Sequence, residues 1–444
     1  MKFRELRCLW VAGCLMGALM LRPVYLRAAE KKEIFTLERS IAEALDRNWS
    51  IKAVLEEKDQ ANQAVKQARA GFLPKVDMSY GYTRLSEPVT FRSTLPGGLD
   101  IAVSTQDNYR WKGTVSQPVF TGFALTSAYE LAKLGIDQSE MRIQQRKLDL
   151  ALEVKARYFG ILEADKALEV ARKAVTSLAS HVGVAESFYK VGMIPVNDLL
   201  KSRVQLANAR QDLVKARNAA RLARCAFNTL LSRPVDAPVE VKDILRYRPE
   251  GRDLRSFMAE ALDRRPEIRL IDVHLLQADQ RIRMARSRNY PEVAFTCDYI
   301  KEGNHPDVSG SRFHDAGRWQ AMAVLSWNIW EWGKTHYSVL EQESRRRQLV
   351  KTRKAVEDTI RLEVKQAFLD LETAARNIPT TRKAVEQGEE NLRVSEERYK
   401  AQVSTSTEVL DAQTLLTEAR TNYHHALYDY NLALARLKRA IGTY

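Results

Sequence analysis

The stretch Ala42-Glu43-Ala44-Leu45-Asp46-Arg47 returns in the same order as Ala259-Glu260-Ala261-Leu262-Asp263-Arg264, 217 positions later. The same offset relates Pro74 to Pro291. A constant offset between distant segments is the sequence signature of an internal duplication. These segments therefore predict a fold in which one structural unit occurs twice.

The offset becomes 210 farther along, where Leu152-Glu153-Val154-Lys155 returns as Leu362-Glu363-Val364-Lys365. We therefore predict a first repeat at residues 30–232 and a second at residues 257–444. A linker at residues 233–256 joins them, and its three prolines rule out a continuous helix there.

Each repeat begins with one amphipathic helix, which in the first repeat runs from about Leu37 to Gly71, followed by two strands. The predicted strands lie at about residues 76–84, 108–119, 293–300 and 318–329. Their apolar residues alternate with polar or small ones, which is typical of a sheet with one apolar face. The loops between paired strands, residues 85–107 and 302–317, differ by seven residues, which accounts for the change of offset. Strands of this length span a bilayer when tilted in a barrel.

Very long helices follow the strands in each repeat. They are predicted at residues 126–190, 195–231, 335–400 and 405–441. At a rise of roughly 1.5 Å per residue, the longer two reach on the order of 100 Å. Apolar residues in the last helix follow alternating steps of four and three, which is coiled-coil spacing.

Composition excludes several classes of protein. With 444 residues and 45% hydrophobic residues, the chain is too apolar to be disordered, and 28% charged residues is too many for a bundle of membrane helices. Residues 1–29 have the basic start, apolar centre and small-residue end of a secretory signal peptide. Export argues against a nucleic-acid partner despite the net charge of +14. An exported chain without another apolar run of about 20 residues is expected to be secreted, periplasmic or an outer-membrane barrel.

Cysteine and histidine positions do not predict a disulfide framework or a metal site. Cys8 and Cys14 fall within the signal, although the residues before Cys14 leave open a lipoprotein cleavage site. The adjacent pair His424-His425 would point about 100° apart on a helix, which does not suit a shared metal. We found no phosphate-binding glycine loop and no nucleophile motif, so the sequence predicts neither an enzyme nor a cofactor.

Four strands cannot close a barrel, because free sheet edges would leave unpaired backbone groups in lipid. The chain must therefore associate. At this point the sequence resembles the TolC-type outer-membrane efflux proteins over essentially the whole mature chain. The resemblance rests on the duplication and on three ordered motifs, Phe72-Leu73-Pro74, Ser116-Gln117-Pro118-Val119-Phe120-Thr121-Gly122 and Tyr189-Lys190-Val191-Gly192-Met193-Ile194-Pro195.

The resemblance implies a mainly α fold with a β-barrel portion. Three chains would supply twelve strands to one outer-membrane β-barrel, and their coiled-coil helices would form an α-barrel in the periplasm. Such a homotrimer is the exit duct of a tripartite efflux pump or a type I secretion system. Its partners would be a periplasmic adaptor protein, an inner-membrane pump and outer-membrane lipid, and its cargo drugs, metals or proteins.

The resemblance also implies a constriction at the periplasmic end. The matching carboxylates are Glu408 and Asp411. A ring of such groups from three chains would attract cations and resist closing by mutual repulsion. The alternative left open is that both are ordinary acids near a helix N-terminus, where they complement the helix dipole.

Two further sets of residues match this end of the family fold. Tyr399 and Asp198 match the links that hold the closed gate, while Ser404 stands where some relatives have an Arg. The turn that relatives present to the adaptor matches Val191, Gly192, Met193 and Ile194. That turn is also explained by a helix-ending glycine followed by a proline that starts the next helix.

A secreted or periplasmic coiled-coil scaffold without channel activity is the rival hypothesis. It would account for the long helices. It gives no reason for four alternating strands that carry Tyr and Trp.

Overall fold

The computed structural model describes residues 34–91 and 101–444. The predicted signal peptide and Cys14 lie outside the described residues. The helices are α1 (Leu37–Arg47), α2 (Trp49–Ala70), α3 (Ala124–Lys190), α4 (Val196–Leu230), α5 (Leu254–Arg264), α6 (Pro266–Ser287), α7 (Lys334–Lys400) and α8 (Ser406–Ala440). The strands are β1 (Ile34–Phe35), β2 (Lys75–Arg84), β3 (Thr90–Phe91), β4 (Ile101–Ala102), β5 (Asp107–Thr121), β6 (Glu240–Val241), β7 (Glu292–Gly303) and β8 (Gly317–Ser326).

Four of these strands form one antiparallel sheet in the order β2-β5-β7-β8. The two repeats therefore contribute one hairpin each, and β5 pairs with β7 at the centre. The outer strands β2 and β8 each keep one unpaired edge within the chain. The prediction that the last strand reaches residue 329 was wrong, because β8 ends at Ser326.

The single first helix predicted from Leu37 to Gly71 was also wrong. The chain breaks at Asn48, whose side chain accepts a hydrogen bond from the Ser50 amide and donates one to the Leu230 carbonyl. Asn competes with the helix for backbone hydrogen bonds, and here that competition ends α1 and starts α2. The second repeat breaks at Arg265, before Pro266. The helical pattern alone did not reveal these breaks.

The linker is more ordered than its prolines suggested. Its β6 pairs in parallel with β1, so the segment before α1 is joined to the end of the first repeat. The hydroxyl of Tyr158 donates to the carbonyls of Phe35 and Lys242, at 2.9 and 2.8 Å. The predicted end of the linker at residue 256 was too late, since α5 starts at Leu254.

Two 67-residue helices, α3 and α7, set the length of the molecule. At about 1.5 Å per residue, each is on the order of 100 Å long. Each packs against the 35-residue helix that follows it, so α3 and α4 form one hairpin and α7 and α8 another. Among the described residues, no helix is both long and apolar enough to span a membrane.

Each repeat has its own hydrophobic core near the middle of these helices. The first core is centred on Tyr158 and Phe227, and the second on Phe257 and Tyr430. Aromatic side chains bury a large apolar area each, so these clusters contribute much of the stability of the helix packing.

A buried ion cluster joins the second core to the first hairpin. Arg265 is almost fully buried and bonds to Glu267 at 2.6 Å and to Glu363. Arg439 on α8 reaches Glu267 and also Asp149 on α3. Burial alone would lower the pKa of Arg265, but the two carboxylates beside it raise that pKa overall. Removing one partner from such a cluster leaves an unpaired buried charge, which is strongly destabilising.

Candidate functional site

Two short turns lie together at the end of the helices farthest from the sheet, which we call the turn end (residues 190–196 and 400–406). Each turn is closed by the same hydrogen bond: Met193 donates to the Phe188 carbonyl at 2.9 Å, and Val403 donates to the Arg398 carbonyl at 3.0 Å. The preceding residue adopts a left-handed conformation in both turns. It is Gly192 in the first, with φ of 75°, and Gln402 in the second, with φ of 61°.

Both turns expose apolar side chains. Val191 is 66% exposed, Met193 is 58% exposed, and Val403 of the second turn is 65% exposed. Ile194 is half-buried.

The predicted latch residues are neighbours, but no hydrogen bond joins their side chains. The ring of Tyr399 is 4% exposed and packs against His181 and Phe188, with ring centres 5.0 and 5.5 Å away. Its hydroxyl is buried without a hydrogen-bond partner among the described residues. Burial raises the pKa of Tyr399, and the nearby negative charge of Asp198 raises it further.

A buried polar network that the sequence did not reveal lies beside Tyr399. The Nε2 atom of His181 on α3 lies 2.8 Å from the hydroxyl of Ser406, the first residue of α8. That hydroxyl lies 2.9 Å from the hydroxyl of Ser202 on α4. Ser202 in turn donates to the backbone carbonyl of Asp198, at 2.9 Å. One serine therefore ties both helices of the first hairpin to the second hairpin.

Burial lowers the pKa of His181, so the network favours the neutral imidazole. Little in the sequence marks these residues. Val196 occupies the place equivalent to Ser406 in the first repeat, and only the packing of both hairpins places three polar side chains in one buried position. The hydrogen bonds among these three side chains therefore depend on the tertiary structure and not on any local sequence pattern.

The predicted constriction acids lie near the start of α8, on a half-exposed surface. Glu408 accepts a hydrogen bond from the Ser404 hydroxyl at 2.6 Å and lies 3.7 Å from Arg398. Ser404, at the place of the Arg of some relatives, thus contacts the acid directly. Asp411 is exposed one helical turn later. Glu408 lies in the first turn of α8, where a carboxylate complements the helix dipole, whereas Asp411 lies beyond that turn.

The sheet at the opposite end has two chemically different faces. Strand register places Tyr82 opposite Tyr109, and Tyr299 opposite Trp319. Residues on this face are mostly apolar or aromatic, and Tyr109 and Trp111 on the central strand are half-buried. The exposed residues of this face include Val76, Met78, Tyr80, Tyr82, Phe295, Tyr299, Trp319 and Leu325. An apolar sheet face with so many exposed side chains is unfavourable in water, which indicates an apolar environment or a partner.

The other face of the sheet is polar and internally bonded. The buried carboxylate of Asp298 accepts hydrogen bonds from Thr114 and Gln320, each at 2.7 Å, and lies 3.0 Å from the Lys112 ammonium. The predicted alternation of apolar and polar residues is therefore confirmed. One face suits lipid and the other suits water.

Comparison with known proteins identifies the architecture. The family described as outer membrane efflux protein matches residues 40–233 and 258–443. The chain belongs to this family. Its members are transport proteins of the outer membrane, and the two matched ranges correspond to two copies of the family unit.

Named relatives match most of this outer membrane efflux protein. The Outer membrane protein TolC of Escherichia coli (strain K12) is 21% identical over 408 residues, which is 87% of this chain and 78% of TolC. The Pyoverdine export outer membrane protein OpmQ of Pseudomonas aeruginosa is 22% identical over 414 residues, which is 92% of this chain and 84% of OpmQ.

Solved structures support the same fold for this family member. The CmeC outer membrane channel of Campylobacter jejuni superposes with a TM-score of 0.76 at 16% identity, covering 91% of this chain and 85% of CmeC. At this identity the likeness shows the fold alone.

Proposed function

We propose that the chain is one third of a homotrimeric exit duct, which passively conducts cargo from the periplasm through the outer membrane. The observation that carries this proposal is the two-faced sheet with free edges, attached directly to helices on the order of 100 Å long. A coiled-coil scaffold in water would leave the apolar face of this sheet exposed to solvent, so the scaffold hypothesis does not account for the sheet.

The sheet edges support the trimer. β2 and β8 each have ten residues and one unpaired edge. Unpaired backbone groups are costly in hydrocarbon, by several kcal/mol each, so an open sheet does not remain in a bilayer. Pairing β8 of one chain with β2 of the next closes twelve strands from three chains. The apolar face would then contact lipid, and the polar face around Asp298 would line a water-filled lumen.

The turn end would receive cargo from its partners. Val191, Gly192, Met193 and Ile194 would contact a periplasmic adaptor protein, which joins the duct to an inner-membrane pump. Exposed Val191 and Met193 give this surface an apolar centre, a feature shared by protein interfaces. The relative OpmQ is named for pyoverdine export. For this chain we propose small molecules, among them drugs and metals, or proteins as cargo.

The gate would lie at the same end. Glu408 and Asp411 from three chains would form a ring of carboxylates that attracts cations, and Tyr399 beside Asp198 would hold the closed arrangement. Conduction needs neither bond cleavage nor a cofactor, so we propose that the chain is not an enzyme. Among the described residues, there is no group of three metal-binding side chains.

Planar-bilayer recording of the purified, detergent-solubilised protein tests the channel. We expect discrete, voltage-tolerant conductance steps, and native mass spectrometry should give three times the mass of one mature chain. A preparation that is folded and trimeric but never conducts would contradict the duct.

A double substitution tests the ring separately. Glu408→Ala with Asp411→Ala should lower cation preference and weaken block by multivalent cations. Asp358→Ala, which removes an exposed carboxylate from the middle of α7, is the matched control and should leave both properties unchanged. Equal selectivity of all three proteins would show that the two acids are only helix-terminal charges.

A further inference from the structure

A basic cavity lies between the two hydrophobic cores and the linker, far from the turn end and from the sheet. Its volume is about 450 Å³, within the range of small-molecule sites. Helices α1, α3 and α8 form three of its sides, and linker residues 242–248 form the fourth. None of the proposed gate, adaptor or barrel residues lines it.

Five cationic side chains line this cavity: Lys155, Lys242, Arg246, Arg248 and Lys438. In the described part of the chain, none of the five forms an ion pair with a carboxylate. Two acids also line it, and one of them, Asp243, is already paired with Lys166 at 3.5 Å. The other acid is Glu38, so the lining carries five cationic against two acidic side chains and has an excess of positive charge.

Lys155 is the most informative of the five. Its side chain is only 7% exposed, and we find no hydrogen-bond partner for it within residues 34–91 and 101–444. Its nitrogen is not among the fully enclosed unpartnered atoms of the described residues, but holding an ammonium group in so buried a place without a partner is still unfavourable. Burial lowers the pKa of Lys155 to about 8, and the charge of Lys438 lowers it further. An anion in the cavity would compensate both charges.

The repeat provides an internal comparison. Lys365 occupies the place equivalent to Lys155 in the second repeat, and its side chain is exposed. The linker covers only the first of these lysines. Lys155 is therefore buried because the linker packs beside it. The second repeat has no equivalent segment over Lys365.

The cavity is preformed and partly apolar. Tyr158, one turn after Lys155, fixes the linker through the Lys242 carbonyl, and Tyr430 donates a hydrogen bond to the Arg248 carbonyl. The apolar part of the lining consists of Leu37, Phe159, Ile244, Leu434 and Ala435. A ligand that fits both parts has one charged end and one apolar end.

We propose that this cavity binds a small organic anion, a carboxylate or phosphate ester with an apolar group, whose charged end pairs with Lys155 and Lys438. Lys155 lies 31 residues into α3, so it is on the order of 45 Å along the helix from the sheet. A lipid headgroup held in a bilayer around that sheet would not reach the cavity. The ligand is therefore one that is free in the aqueous compartment.

Titration of phenyl phosphate with the full-length solubilised protein, followed by ³¹P NMR, tests the site. We expect saturable line broadening with a submillimolar Kd, and at least tenfold weaker binding of inorganic phosphate, which lacks the apolar group. Lys155→Met should weaken phenyl phosphate binding at least tenfold. Met keeps most of the volume and removes an unpaired buried charge, so the variant is expected to fold.

Lys365→Met is the matched control and should bind phenyl phosphate like the parent protein. Absence of saturable binding, or equal binding by Lys155→Met, would overturn the site. Equal binding of phenyl phosphate and inorganic phosphate would overturn the amphiphilic ligand class. None of these outcomes depends on whether the protein conducts, so failure here is distinguishable from failure of the proposed duct.

Discussion

Replacing Ser406 by Ala removes a hydroxyl that joins the two hairpins at the turn end. In the parent protein this hydroxyl contacts His181 at 2.8 Å and Ser202 at 2.9 Å, and it is almost fully buried. Ala is well tolerated in the first turn of a helix, so the change should act on the network and spare α8 itself.

The size of the effect follows from burial. Leaving a buried polar group such as the His181 ring nitrogen without its partner is unfavourable by about 1–3 kcal/mol. If the hairpins separate when the gate opens, water can bond to His181 in the open state. The substitution then leaves the free energy of the open state unchanged and raises only that of the closed state. The same free energy corresponds to a roughly 5- to 150-fold shift of the equilibrium toward the open state.

Single-channel recording at neutral pH measures this shift as the ratio of open to closed time. Ser187→Ala is the matched control, because its exposed hydroxyl bonds only to the Gly183 carbonyl of its own helix, at 3.0 Å. We expect the control to behave like the parent protein. An open-to-closed ratio for Ser406→Ala within twofold of the parent value would refute a holding role for the network.

Three further predictions concern His181, the buried ion cluster around Arg265, and the two turns. Burial lowers the pKa of His181 from its ordinary value near 6.5. The stability that neutral His181 gives the closed state is therefore present above pH 6.5 and is lost as pH falls through the lowered pKa. Acidification from pH 7.5 to 5.5 should raise the open probability, and His181→Gln should remove most of this pH dependence. Arg265→Ala should lower the free energy of unfolding by about 3–5 kcal/mol, measured by chemical denaturation, whereas the exposed Arg376→Ala should change it by less than about 1 kcal/mol. Gln402→Gly should stabilise the protein by about 0.5–1 kcal/mol, because glycine adopts the positive φ of the second turn without strain. Gly192→Ala should destabilise the protein by a similar amount through the first turn. Melting temperatures of both variants equal to that of the parent protein would contradict this.

Much of the fold could be predicted because it depends on periodic patterns. Steps of two in strands and of seven in the shorter helices report which side of an element is apolar. The proline-free length of residues 126–190 and its repeat at 335–400 located the two 67-residue helices to within two residues at each end. Breaks within the first helix of each repeat were missed for different reasons: Pro266 marks the second break locally, whereas the first depends on a single contact. Asn48 bonds to the Leu230 carbonyl, 182 positions away, and no local pattern carries that information.

The candidate site was predictable only where a turn has a local signature. Gly192 followed by a proline marks the first turn, and the resemblance placed Tyr399 and Asp198 near one another. The partner of the Ser404 hydroxyl was not foreseen, because contact with Glu408 depends on how the second turn folds back on α8.

The sequence by itself determined that one unit occurs twice, that each copy combines strands with very long helices, and that the strands have one apolar face. These properties follow from the spacing of residues along the chain. Only the tertiary structure decided which polar groups are buried together, since equivalent lysines end up buried or exposed and a single serine joins two hairpins. The physical reason is that burial belongs to a neighbourhood assembled from distant segments, whereas periodicity belongs to each segment alone.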